Sequence, residues 1–126
     1  MSGIYGLLPP TAGFNFTIMQ NAAKKIAQVW DFTPLFGWDF PMLAMNSARL
    51  GDKEGAVKYL LDVNFPFDDV GIPISGPRVA TPYFPGTSSL LVAVAMMAGD
   101  WDEMEGSGPQ FPDRWDVKVE GFSRAL

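Results

Sequence analysis

A mainly α-helical fold built from helical hairpins is predicted by three features of the sequence. Apolar residues recur at helical spacing in several segments. Capping residues, glycines and prolines bracket those segments. A Gly51-Asp52 step joins two of them through a turn too short for anything but a tight helix-to-helix connection.

Taken in order, the segment up to Gly13 is rich in glycine and proline and is expected to be irregular. A first helix then starts near Asn15 or Thr17, either of which suits an N-cap, and runs to about Trp30. Ile18, Ala22, Ile26 and Val29 form its apolar face, and Pro34 and Gly37 lie beyond its end. The second helix is expected to start near Pro41, a proline being harmless at the first helical position, and to stop at Gly51. Met42, Met45 and Arg49 share a stripe that Leu43, Ala44 and Leu50 widen. The third helix, from about Lys53 to Leu61, turns Ala56, Val57, Leu60 and Leu61 to one side and packs back as an αα-hairpin.

Residues 62–86 read as a long loop carrying Pro66, Pro73, Pro77, Pro82 and Pro85. Loops of that length inside a domain are usually functional or disordered, and Phe65, Phe67, Tyr83 and Phe84 favour an ordered one. Asp68-Asp69 reads as a turn before Gly71. Thr87-Ser88-Ser89 is expected to cap a fourth helix, Leu90 to Ala98, which is apolar all round and so calls for burial on every side. In the tail, Trp115, Val117 and Val119 alternate with charged residues, the pattern of a short C-terminal strand.

The chain's 126 residues suit one domain. Its 48% hydrophobic and 18% charged content is that of a globular protein rather than a disordered one. A net charge of −5 without any basic run excludes nucleic acid and anionic membrane as natural partners. The absence of cysteine removes thiol nucleophiles and thiolate metal sites, and the absence of histidine removes a Ser-His-Asp triad and the usual zinc sites. Acid–base chemistry therefore falls to Asp, Glu, Tyr or Lys. No phosphate loop, dinucleotide fingerprint or nucleophile elbow is present, and no cofactor is expected. Asp100 to Glu105 is acidic but lacks the oxygen ligands and glycine of a calcium loop, so a solvated loop and no metal are expected there. The N-terminus does not resemble a signal peptide, which leaves the compartment open.

Two aromatic–acid phrases carry the functional reading. Trp30-Asp31-Phe32 and Trp38-Asp39-Phe40 flank Pro34 and Gly37, and each offers a carboxylate beside an indole. Aromatic faces stack on sugar rings while carboxylates bond hydroxyls or move protons. Arg78 and Tyr83, on the proline-rich loop, add a donor and a further ring. The substrate-binding candidates are thus Trp38, Asp39, Arg78, Tyr83 and Asp31, with the catalytic residues unassigned. Plainer roles stand beside these: Trp38 and Phe40 covering a helix end, Asp31 in a turn, Asp39 favoured by a helix dipole, and Arg78 neutralising Asp68 or Asp69.

Several long phrases together resemble the C-terminal end of fungal six-hairpin glycosidase-like proteins. They are Gly37 to Asn46, Ala48 to Asp52, Phe67 to Gly71, Arg78 to Gly86 and Leu90 to Met97. The resemblance implies part of an (α/α)6 toroid, with inner helices around a sugar-binding mouth and an oligosaccharide or glycoside as partner. Relatives of this kind use two carboxylates for hydrolysis. A full toroid is several times longer, so residues 1–126 are expected to be one domain that forms the C-terminal fragment of a larger one. Such a fragment is expected to self-associate or dock to the missing hairpins. No complete catalytic pair is recognisable, so it is expected to be inactive alone, with Asp31 and Asp39 in water and titrating like free Asp. From another class, Leu50 to Leu60 looks like half of a tetratricopeptide-type hairpin, which would make an interaction module, but a single copy is too few for such an array. A non-catalytic sugar-binding remnant is the third reading.

Overall fold

The computed structural model describes residues 3–104 and 108–121. The fold is mainly helical. In order come α1 (Ile4–Leu7), α2 (Phe16–Val29), α3 (Asp39–Arg49), α4 (Lys53–Leu60) and α5 (Phe84–Gly99), followed by a 3₁₀ turn, Asp102–Met104. Within the long loop an antiparallel bridge joins Phe67 and Pro73.

The central element is α3, which packs against α1, α4 and α5. Its contacts with α4 and α5 build the main core from Ala44, Met45, Ala48, Ala56, Val57, Ala93, Met97 and Trp101. Local chemistry sets the hairpin: Gly51 turns the chain with φ of 87°, and the Asp52 carboxylate accepts from Gly55 N–H at 2.9 Å to cap α4. α3 begins two residues earlier than expected, at Asp39. Pro41 then stands third in the helix, still within the turn whose N–H groups have no helical acceptor.

The N-terminal segment is not wholly irregular. Tyr5 and Gly6 in α1 are buried against α3, and a Cβ on Gly6 would lie 2.6 Å from Asn46 N, so only glycine permits this approach. The carbonyls that so short a helix cannot satisfy itself receive outside donors. Arg49 donates to the Tyr5 and Leu8 oxygens, and Trp101 Nε1 donates to the Gly6 oxygen at 3.1 Å. By contrast, α2 is capped by Asn15, whose side chain accepts from Ile18 N–H at 3.0 Å, yet it buries only Ile26.

Three further expectations are corrected. α5 starts at Phe84, six residues before Leu90, because Pro85 sits in the first turn, where a proline fits, and Thr87-Ser88-Ser89 lies inside the helix. Ser89 Oγ donates to the Gly86 carbonyl at 3.0 Å, so these hydroxyls do not cap the helix from outside. α5 is also not buried on every side: Ala93 and Met97 face the core, while Leu91 is 65% exposed and Phe84, Val92 and Val94 are exposed too. Finally, the start of the acidic segment is not a solvated loop. Asp100 and Trp101 are buried, and the Asp100 carboxylate accepts from Trp101 N–H at 3.0 Å. Glu105, at the end of that segment, lies outside the described residues.

The tail forms no strand over 115–119; among the described residues no strand offers it a ladder. Trp115 instead stacks on Phe111 with ring centroids 5.8 Å apart. Exposed ion pairs from Lys53 to Asp113 and from Arg114 to Glu54 link the tail to the start of α4.

Candidate functional site

The N-terminal end of α3 meets the proline-rich loop around one aromatic ring, Phe36. Asp39, in the first turn of α3, accepts a hydrogen bond from Phe36 N–H at 2.8 Å, which folds residues 36–39 into a tight entry. The Phe36 ring lies 6.3 Å from the Tyr83 ring, and the Arg78 guanidinium sits 5.7 Å from the Phe36 centroid. Gly37 is buried beside the Phe65 and Tyr83 rings, where a Cβ would make ordinary van der Waals contact. Trp38 holds the N-cap position of α3 and is 46% exposed, leaving its indole open to solvent.

The loop that brings Arg78 and Tyr83 here is ordered by its own hydrogen bonds. Asp68 accepts from Val70 N–H at 3.1 Å and Ile72 N–H at 2.7 Å, Ile74 N–H reaches the Pro66 oxygen at 3.0 Å, and Tyr83 N–H reaches the Pro73 oxygen at 3.2 Å. Phe65 is buried under it, stacked on Phe40 at 5.6 Å and edge-on to Phe67 at 5.0 Å. Asp68 is thereby committed to its turn, and among the described residues no ion pair joins Arg78 to Asp68 or Asp69.

Asp39 does not titrate like a free carboxyl. Partial burial pushes its pKa up, and the Phe36 N–H and the positive field of Arg78 only partly offset this. The corner thus joins a carboxyl whose proton is held more firmly than usual, an exposed guanidinium and a phenol, with the exposed Trp38 next to Asp39 in the chain.

Of the five sequence candidates, Asp39, Arg78 and Tyr83 gather around Phe36, with Trp38 adjoining Asp39 in the chain. Asp31 stands apart in function: it is exposed, and its carboxylate accepts from Thr33 N–H at 3.0 Å in a local turn. Phe40, part of the same sequence phrase as Asp39, is fully buried and belongs to the core. Phe36 was not among the candidates. Its only sequence signal is an aromatic immediately before Gly37, which does not reveal that a guanidinium some forty residues later lies over it.

No family model, curated protein or solved structure matches this chain.

Proposed function

We propose that this chain contributes a carbohydrate-binding corner to an (α/α)6 glycosidase-like toroid and does not hydrolyse glycosides alone. The observation that carries the proposal is the convergence of Asp39, Arg78 and Tyr83 on Phe36, beside the open indole of Trp38. An exposed indole provides the stacking face a sugar ring needs, and the carboxyl, guanidinium and phenol provide donors and acceptors for its hydroxyls. Hydrolysis requires a second carboxyl group about 5–9.5 Å from the first. Asp31 is engaged in its own turn, so Asp39 is the one candidate acid at this corner. The exposed apolar face of α5 supports a larger assembly, because further hairpins would cover Leu91, Val92 and Val94.

Titration of the chain with an oligosaccharide panel, followed by NMR of the tryptophan indoles, tests this. The Trp38 signal is expected to shift, Trp38→Ala to remove most binding and Asp39→Asn to weaken it. An unmoved Trp38 indole across the panel would reject the proposal. Turnover of aryl glycosides by the chain, lost in Asp39→Asn, would reject the claim of inactivity.

A further inference from the structure

None of the residues around Phe36 lines the groove between α2 and the α3–α4 hairpin. α2 and the α3–α4 hairpin enclose two adjoining cavities of about 380 and 180 Å³, which share Ala27, Asp52 and Tyr59 in their walls. The larger has the dimensions of a small-ligand pocket. Its aromatic wall is the Phe32–Tyr59 pair, with centroids 5.8 Å apart and planes inclined at 42°. Its charged residues are Asp52, Asp62 and Lys58, and Lys24 lines the smaller cavity.

Both carboxylates are held in place by one oxygen. Asp52 Oδ1 caps α4 through Gly55 N–H, and Asp62 Oδ1 accepts from Asn64 N–H and Nδ2 at 2.9 Å each. Among the described residues no hydrogen bond reaches the Oδ2 of either. Two fixed carboxylates with spare lone pairs stand against aromatic faces. The Tyr59 phenol senses them: its pKa is raised first by burial and then by the negative charges of Asp52 and Asp62. Lys58, which also lines this cavity, is exposed and, among the described residues, forms no ion pair with either acid.

We propose that this groove binds a primary organic ammonium ion. The –NH3+ group offers three donors, matching the two free carboxylate oxygens and the Tyr59 hydroxyl. Its carbon chain lies over Phe32 and Tyr59, where a cation also gains from the ring faces. An anion would meet two carboxylates, and a neutral apolar ligand would bury them without compensation.

The test is an amide NMR titration of the whole chain with n-butylammonium chloride at fixed ionic strength, with n-butanol and sodium butyrate as controls. Saturable shifts are expected at Ala27, Gly55 and Tyr59 with the amine alone. A ligand this small should bind with Kd of about 1–10 mM, so titration to about 50 mM suffices. Asp62→Asn keeps the Oδ1 acceptor for Asn64 and hence the fold, but is expected to weaken binding about tenfold, the scale of a charged hydrogen bond. Lys58→Gln, an exposed change that leaves the fold intact, is expected to tighten binding by removing a repelling charge. The absence of saturable shifts would overturn the proposal. So would equal binding of butanol or butyrate, or binding that neither Asp62→Asn nor Lys58→Gln alters.

Discussion

α3 and α5 pack against each other, yet they invert the rule that apolar helices are buried and polar ones exposed. Every residue of α3 from Leu43 to Arg49 is buried, including Asn46, Ser47 and Arg49. α5 is apolar along nearly its whole length, yet Leu91, Val92 and Val94 stand in solvent. Position accounts for the inversion. α3 lies between α1, α4 and α5 and has no free side, while α5 has α3 as its main helical neighbour. Arg49 tolerates that central place because its guanidinium gives hydrogen bonds to the Tyr5 and Leu8 carbonyls and lies 4.4 Å from the Tyr5 ring centroid. Sequence hydrophobicity therefore reports what a helix needs, and only packing shows whether this chain supplies it.

The strongest way to break the comparison is at the residue that closes the α3 side. Trp101 is fully buried, joins the core formed by α3, α4 and α5, and donates to the Gly6 carbonyl. Trp101→Ala leaves a large void and strands that carbonyl, so a loss of about 3–5 kcal/mol is expected. Urea unfolding followed by circular dichroism reads it directly. A loss under about 1 kcal/mol, the size of an average substitution, would show that α3 is not the structural centre.

The reciprocal experiment acts on the open face of α5. Leu91→Gln together with Val92→Thr is expected to change stability by no more than about 0.5 kcal/mol, as surface changes do. Dye binding to exposed apolar surface and any self-association should fall in the same protein. A destabilisation approaching that of Trp101→Ala would mean that this face is already covered and that the two helices are equivalent.

Much of the helical scaffold was legible because its signals are local. Asn15 and Asp52 cap helices through their own side chains, and Gly51 turns the chain where a positive φ is needed. The start of α5 was misplaced because Pro85 and Gly86 look like loop punctuation, although a proline is equally at home in a first helical turn. The burial of Asp100 and Trp101 was not legible at all. It depends on α1 arriving from the other end of the chain, and no periodicity encodes that meeting. The candidate corner divides the same way: Trp38 and Asp39 stand out as an aromatic–acid phrase, whereas the arrival of Arg78 and Tyr83 at Phe36 depends on the path of a long loop.

The smallest effect distinguishes the two ends of α3 from each other. At its C-terminal end Arg49 is buried with hydrogen-bonded partners; at its N-terminal end Asp39 is only partly buried and its pKa is raised from 3.8. For a carboxyl whose folded pKa exceeds its unfolded one, the native state binds more protons between the two values. Stability contributed by this group is therefore highest below the unfolded pKa, falls as pH rises through the folded pKa, and stays lower above it. Asp39→Asn keeps an oxygen to accept from Phe36 N–H but cannot ionise. The variant is expected to lose this component of the pH dependence, so that its stability relative to the native chain improves as pH is raised from about 3 to 7, across the usual carboxylate range. Urea midpoints of both proteins measured across that interval give the difference. A variant whose stability relative to the native chain instead falls as pH rises would mean that the Phe36 N–H and Arg78 outweigh burial, and that Asp39 is an ordinary helix-end carboxylate stabilised by its charge.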